Sequence, residues 1–202
     1  MIAIIDYGVG NVTSIKNMLR KSGFNAILTN NHAEIRAAEK IILPGIGAFD
    51  SCAKNLTSYN LRDILTERAI EAHIPFLGIC VGLQLLAEHS EEGILPGLGF
   101  IPSKVKRFSF NDNSLKIPHM GWNTINPTED NPLFKNLPDD FRFYFAHSYH
   151  IVCDDDSNIG ATTQYGYNFT ASVRKNNIYG VQFHPEKSLK FGMKVLANFA
   201  SI

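Results

Sequence analysis

Two short stretches of this chain carry residues whose types and spacing suit covalent catalysis. In the first, Gly78-Ile79-Cys80-Val81-Gly82 ends an apolar run, and Leu83-Gln84-Leu85-Leu86 continues it with a helical texture. That is the layout of a sharp strand-to-helix turn that lifts one side chain above the end of a sheet. Such a turn crowds the positions two before and two after the exposed residue, where only hydrogen fits as a side chain. A helix starting after Cys80 aims its first amides at the thiol and favours the thiolate. By itself the stretch also fits a buried structural cysteine, because a free thiol packs like a small apolar group.

The second stretch is Gly180-Val181-Gln182-Phe183-His184-Pro185-Glu186. A thiol nucleophile needs a base, and the base needs an acceptor that holds its ring. His184 and Glu186 stand two apart after an apolar strand, so on an extended chain they face the same side. Pro185 argues against a helix there. Separately these two are a surface histidine and a solvated charge. With the cysteine turn they form a Cys80-His184-Glu186 triad, defined by roles rather than order in the chain. Acyl transfer also needs amide donors for a developing oxyanion. The Val81 amide is the natural first donor. A second donor comes from Pro44-Gly45-Ile46-Gly47-Ala48-Phe49, unless that loop is an ordinary turn.

The elements around these groups alternate in type. Ile2–Asp6, Ala26–Thr29, Lys40–Leu43 and Phe76–Ile79 read as short apolar strands. Val12–Lys21, His32–Ala38 and Leu61–Ala72 read as helices, the first with Val12, Ile15, Met18 and Leu19 at helical spacing. This rhythm predicts an α/β fold, a mostly parallel sheet flanked by helices on both faces, with ligands beyond the carboxyl ends of the strands. After Gly93 the texture becomes antiparallel and strand-rich. Val105–Phe110, Arg142–Phe145, Tyr149–Cys153, Gly160–Gln164, Thr170–Arg174 and Ile178–Val181 read as strands. They are separated by turns such as Asn111-Asp112-Asn113, and Phe191–Phe199 closes the chain as a helix. No linker, repeat or low-complexity segment interrupts 1–202, so a single domain is expected.

Composition narrows the partners. Nineteen basic residues balance nineteen acidic ones, and no basic run exists, which argues against nucleic acid and anionic membranes. The start Met1-Ile2-Ala3-Ile4-Ile5-Asp6 lacks the pattern of a signal peptide. No apolar run approaches the ~20 residues of a membrane span. Three cysteines, Cys52, Cys80 and Cys153, are too sparse for a disulfide framework and imply a reducing, cytoplasmic setting. The sequons at Asn11, Asn55 and Asn168 have no meaning without export. Gly8-Val9-Gly10 matches only part of a dinucleotide fingerprint, with Thr13 at the third glycine, and reads as a turn or a partner-facing loop. His119, His147 and His150 lack a carboxylate or cysteine at ligand spacing, so no metal and no cofactor are expected.

Three motifs, Gly-Ile-Cys-x-Gly-x-Gln, Pro-Gly-x-Gly-Ala-Phe and Gln-Phe-His-Pro-Glu-Lys-Ser, resemble those of the class I (triad-type) glutamine amidotransferases. The resemblance implies that family's fold and its cleavage of glutamine to glutamate and ammonia. By position it implies Cys80 as nucleophile, His184 as base and then acid, and Glu186 as the orienting acid. It places Gly47 and the Val81 amide at the oxyanion site. Gln84 and the Ser148-Tyr149 backbone fall where the family holds glutamine; without the family, Gln84 is simply a polar residue on the turn after Cys80.

Further segments, Asp6–Asn11, Ile117–Asn123 and Phe143–Tyr149, resemble a branch of the family that passes ammonia to a separate (β/α)8-barrel cyclase in histidine biosynthesis. This implies a heterodimer, with Asn11, Pro118, Met120, Trp122, Asn123 and Tyr144 on the cyclase side. Trp and Met suit an interface centre, yet the single Trp suits equally an anchor between the antiparallel half and the core. Val81 and Leu83 replace the commoner Leu and Met of the family, both apolar changes. The run Glu186–Met193 looks closer to a paralogous branch that supplies ammonia for sugar amidination in surface-polysaccharide synthesis. A stand-alone cysteine hydrolase is the remaining alternative, and it calls for a pocket that takes a larger acyl group.

Overall fold

The computed structural model describes residues 1–110 and 115–202. The turn expected at Asn111-Asp112-Asn113 lies outside them. The first half alternates as expected: β1 (Ile2–Ile5), α1 (Val12–Lys21), β2 (Ala26–Thr29), α2 (His32–Ala37), β3 (Lys40–Gly45), α3 (Phe49–Ser58), α4 (Leu61–Thr66), β4 (Phe76–Cys80) and α5 (Val81–Gln84). Then come β5 (His89–Ser90), β6 (Ser103–Arg107), β7 (His119–Asn123), β8 (Asn126–Pro127), β9 (Phe143–His147), β10 (Tyr149–Cys153), β11 (Ile159–Tyr165), β12 (Tyr167–Lys175), β13 (Ile178–Val181) and α6 (Leu189–Ser201).

Among the described residues, eight strands form one sheet in the order β2-β1-β3-β4-β13-β12-β11-β8. Its first half is parallel: β1 pairs β2 and β3, and β4 lies between β3 and β13. Beyond β13 the pairing turns antiparallel through β12, β11 and β8. Smaller sheets, β10-β6-β5 and the β7-β9 pair, stand beside it. The fold is thus α/β, with its antiparallel half continuing the same sheet.

β4 is buried along its whole length, as expected of a parallel strand covered on both faces. Its register sets the site. Cys80 stands opposite Gly45 of β3, and Ile79 opposite Val181 of β13. The loop after β3, the Cys80 turn and the segment after β13 therefore meet at one end of the sheet, where ligands collect in such folds.

Some elements differ from the sequence reading. α3 begins at Phe49, where the Gly-rich loop reads as an uninterrupted break; Phe49, Cys52, Ala53 and Leu56 form its buried face. The helical texture through Leu86 shrinks to one turn, Val81–Gln84. β7 does not stand out because its five residues, His119 to Asn123, include one glycine and few strand formers; pairing with β9 makes it a strand. Pro185 does not exclude a helical turn: it opens a 3-10 turn over Pro185–Lys187, where its missing N–H costs nothing.

The close approach of β3, β4 and the Cys80 turn depends on glycine. A Cβ on Gly82 would stand 1.9 Å from the Leu43 carbonyl oxygen, and one on Gly78 would stand 2.6 Å from the Gly82 carbonyl oxygen. Both neighbours are backbone and cannot swing aside. Gly82→Ala is expected to lose about 3 kcal/mol of stability, the upper range for overpacking a core, and to lower the melting temperature by several degrees for a chain of this size. A thermal melt against the parent protein checks this, and an unchanged melting temperature would contradict the packing described.

Candidate active site

Cys80 ends β4 with φ 55° and ψ −112°. A non-glycine residue at positive φ is strained, and such strain persists only where the surroundings enforce it. The conformation turns the thiol out of the sheet into a cavity of about 250 Å³. That is smaller than the roughly 300–1,000 Å³ typical of sites for drug-sized ligands. By size the cavity suits a small molecule rather than a peptide or a long acyl chain.

His184 lines the same cavity as the thiol. Its Nδ1 meets Glu186 Oε1 at 2.8 Å, and both side chains are nearly inaccessible. With Nδ1 engaged, Nε2 is the nitrogen left for Cys80, whose sulfur acts on the ring. Burial is the largest single influence on His184 and pulls its pKa down. The hydrogen bonds and charges of Cys80 and Glu186 together outweigh it and raise the pKa to about 10. Held between the Cys80 sulfur and the Glu186 carboxylate, the ring keeps its proton as imidazolium. The 3-10 turn, rather than an extended chain, brings Glu186 back to the ring, and the His184 amide donates to the Tyr144 carbonyl at 2.9 Å.

The other anticipated residues fall into two groups. Gly47, Val81, Gln84, Ser148, Tyr149, Pro118 and Met120 line the cavity. Gly47 sits at φ 83°, a conformation that suits a loop bringing its amide toward the thiol. Tyr7 Oη donates to the Pro44 carbonyl at 2.7 Å and the Cys52 thiol to the Ile46 carbonyl at 3.4 Å, so this loop is held from below. Gln84 Nε2 donates to the Tyr149 carbonyl at 3.0 Å, while Gln84 Oε1 is buried without a protein partner. Ser148 O already accepts from the Phe108 amide.

The second group lies toward the surface, with Asn11 and Trp122 exposed and Asn123 and Tyr144 half-buried, and it shares Met120 with the cavity wall. Met120 is 63% and Trp122 44% accessible, so the Trp does not anchor the core. The Arg142 guanidinium lies 5.8 Å from the centre of the Trp122 ring, and the Lys187 ammonium 5.7 Å from that of Tyr144. Asn123 donates to the Gln164 carbonyl at 2.9 Å. Asn11 is exposed at the start of α1, on the loop whose Gly10 abuts Pro44.

Two site residues escape the sequence reading. Glu92 lines the cavity and accepts from the Phe49 amide at 2.9 Å, tying the cavity wall to the start of α3. In sequence it belongs to a run with Glu88 and Glu91 that reads as solvated charge. Gln182 is fully buried and donates to Cys80 Sγ at 3.8 Å. Its only signal in the sequence is a spacing of two residues before His184, without a partner to give it meaning.

The histidines behind the cavity form a directed chain. His147 Nδ1 donates to the Tyr149 carbonyl at 2.7 Å, so its Nε2 must accept from His119 Nδ1 at 3.0 Å, and His119 Nε2 faces Asn123. Among the described residues no cluster of three metal-ligating side chains occurs. Burial holds His119 down to about 4 and His147 to about 3. Unfolded, both protonate below about pH 6.5. Their contribution to stability is therefore complete above pH 6.5 and is lost as pH falls toward 4 and 3. The loss is about 1.4 kcal/mol per pH unit for each ring. His184 acts in the opposite sense: its contribution is complete below pH 6.5 and fades as pH rises through about 10. Urea unfolding at pH 7 and pH 5 is expected to show the acid loss, and His119→Gln should make it shallower.

Comparison with known proteins places the whole chain in one family. The family described as Glutamine amidotransferase class-I matches residues 3–202. The chain is 55% identical to imidazole glycerol phosphate synthase subunit HisH 2 of Methanococcus maripaludis over 199 residues, 98% of each chain. It is 44% identical to HisH 1 of the same organism over 207 residues, with both chains fully covered. In fold it is similar to PurLQS from Thermotoga maritima, with a TM-score of 0.70, 20% identity, and coverage of 99% and 97% of the two chains.

Proposed function

The chain belongs to the class I glutamine amidotransferase family, and we propose that it is the glutaminase subunit of a two-protein ammonia-transfer enzyme, the role that HisH names in imidazole glycerol phosphate synthase. The observation that carries the catalytic part is the buried Cys80-His184-Glu186 constellation opening into a small cavity.

In this reading the Cys80 thiolate attacks the side-chain carboxamide carbon of glutamine. The oxyanion forms beside the Val81 and Gly47 amides. Losing one such donor in comparable sites costs about 3 kcal/mol of transition-state stabilisation. The C–N bond then breaks as His184 Nε2 gives its proton to the departing nitrogen, releasing ammonia and leaving a thioester on Cys80. Neutral His184 takes a proton from water, the hydroxide attacks the thioester, the C–S bond breaks, and glutamate leaves with Cys80 as thiolate and His184 as imidazolium. Glu186 holds the ring throughout. A free amino acid also offers an ammonium group. Glu92 is the carboxylate on the cavity wall suited to it, and Gln84 Oε1 is an open acceptor in the same cavity.

The partner part rests on β7. Pro118 and Met120 belong to the cavity wall, and the same strand carries Trp122 into solvent, so an exposed aromatic surface begins at the cavity mouth. A (β/α)8-barrel cyclase seated there receives ammonia without its passing through bulk water, in a cytoplasmic complex. With a histidine-pathway cyclase, the products are imidazole glycerol phosphate and an aminoimidazole carboxamide ribotide. A second reading keeps the glutaminase and changes the acceptor to a sugar. The run Glu186–Met193 is the feature of the chain that favours it.

The deciding experiment measures glutamine hydrolysis by the chain alone, with a cyclase partner, and with each acceptor. Low activity alone and strong stimulation by the ribotide support the histidine pathway, while stimulation only by a sugar substrate and its transferase supports the second reading. Partner-independent hydrolysis of esters or peptides, with none of glutamine, overturns both. Trp122→Ala is expected to weaken the complex by about 2 kcal/mol, the loss typical of a central aromatic anchor, and to leave hydrolysis by the isolated chain unchanged. Titration calorimetry against the cyclase reads the first, and a glutaminase assay the second.

A further inference from the structure

Gln182 presents a carboxamide with no exposure at all, one residue beyond β13. Burying such a group costs about 1–3 kcal/mol unless its hydrogen bonds are made. Here they are made in one direction only. The Tyr149 carbonyl can only accept, and it receives Gln84 Nε2 at 3.0 Å. The same nitrogen gives its other hydrogen to Gln182 Oε1 at 3.2 Å. Gln182 Oε1 is thereby committed as acceptor, and its Nε2 is the end that faces Cys80 Sγ at 3.8 Å. Turning the Gln182 amide over would set two NH2 groups against each other and a carbonyl oxygen against the sulfur. The orientation is fixed by its neighbours.

We propose that Gln182 is the standing N–H donor to the Cys80 sulfur, holding it as thiolate independently of His184 and coupling it to the substrate acceptor Gln84. The inference rests on the glutaminase reading only in taking Cys80 as the nucleophile. A hydrogen bond donated to sulfur favours the anion over the thiol, since the thiol accepts more weakly. His184 has to release its proton during each turnover, whereas the Gln182 amide cannot ionise. It therefore holds the sulfur equally before attack and after the thioester is cleaved. Gln84 Oε1, which has no protein partner, receives a donor when substrate enters. That contact polarises the Gln84 amide and strengthens its grip on Gln182.

The test follows alkylation of Cys80 by iodoacetamide from pH 5 to pH 10 in the full chain without glutamine. Burial pushes Cys52 up to about 11 and Cys153 up to about 12, so both are slow, and Cys80→Ser supplies their background. In Gln182→Leu the midpoint of the rate–pH curve is expected to rise by about one unit, a tenfold loss of thiolate below it. In Gln182→Glu, where a carboxylate faces the sulfur, it should rise further. Glutamine turnover by Gln182→Leu should fall about tenfold in kcat, a loss in line with one hydrogen bond to a charged group. Folded variants with the parent curve overturn the proposal. A measurement on the unsubstituted protein covers the case of variants that do not fold: the side-chain NH2 resonance of Gln182 should shift with the alkylation midpoint, and a resonance indifferent to pH and to alkylation overturns the proposal equally. A shifted curve in a chain that never hydrolyses glutamine, alone or paired, leaves this assignment standing and removes the proposed function.

Discussion

Cys80→Ala is expected to lower glutamine hydrolysis by at least about 10⁴-fold, as removal of a triad nucleophile does, while the chain still folds and still binds a cyclase partner. The substitution removes one sulfur from a cavity wall, and alanine accepts the strained φ of 55° no worse than cysteine does. If the two active sites are separate, the complex should still run on added ammonia. Loss of both the glutamine-dependent and the ammonia-dependent reaction would contradict the separation. The variant also tests the electrostatics. His184 is raised to about 10 with Cys80 as one of its supports, so its pKa should fall when the sulfur is gone. A ¹⁵N titration of the ring reads that directly.

His184→Ala is expected to lose as much activity and to destabilise the fold as well, by about 3–5 kcal/mol, the cost of leaving a buried charge without its partner. Glu186 explains the difference. Its side chain is 2% accessible, one oxygen is bonded to His184, and the other has no partner. Without the ring, a carboxylate is left stranded in the interior. Adding Glu186→Gln to His184→Ala removes the charge and should restore much of the stability but none of the activity. Denaturant unfolding of the parent and of the single and double variants, beside a glutaminase assay, separates the two roles. Equal stability in all of them would mean that the ion pair contributes little to the fold.

Both predictions concern residues legible in the sequence, and the reason is physical. The elbow is a local device: the steric demand falls on residues two before and two after Cys80, so Gly78 and Gly82 announce it. His184 and Glu186 are likewise two apart, and β1 to β4 follow from apolar runs and punctuation of the same short range. The helix α3 is hidden because a Gly-rich loop masks the start of an amphipathic face. The turn at Pro185 is hidden because proline bars a helix interior yet suits a first helical position.

The reactive groups, the alternating α/β order and the family are all written in side-chain types within a few positions of one another, and the chain's residues suffice to read them. Which polar groups serve those residues depends on contacts distant in sequence. Gln84 meets Gln182 across 98 positions of chain, Gln84 reaches Tyr149 across 65, and Glu92 caps Phe49 across 43. Nothing local in an isolated glutamine or glutamate separates these from solvated residues. Sheet register brings them together, and burial then obliges them to pair. The exposure of Trp122 arises in the same way, from the β7-β9 pairing that carries one strand from the cavity wall out to solvent.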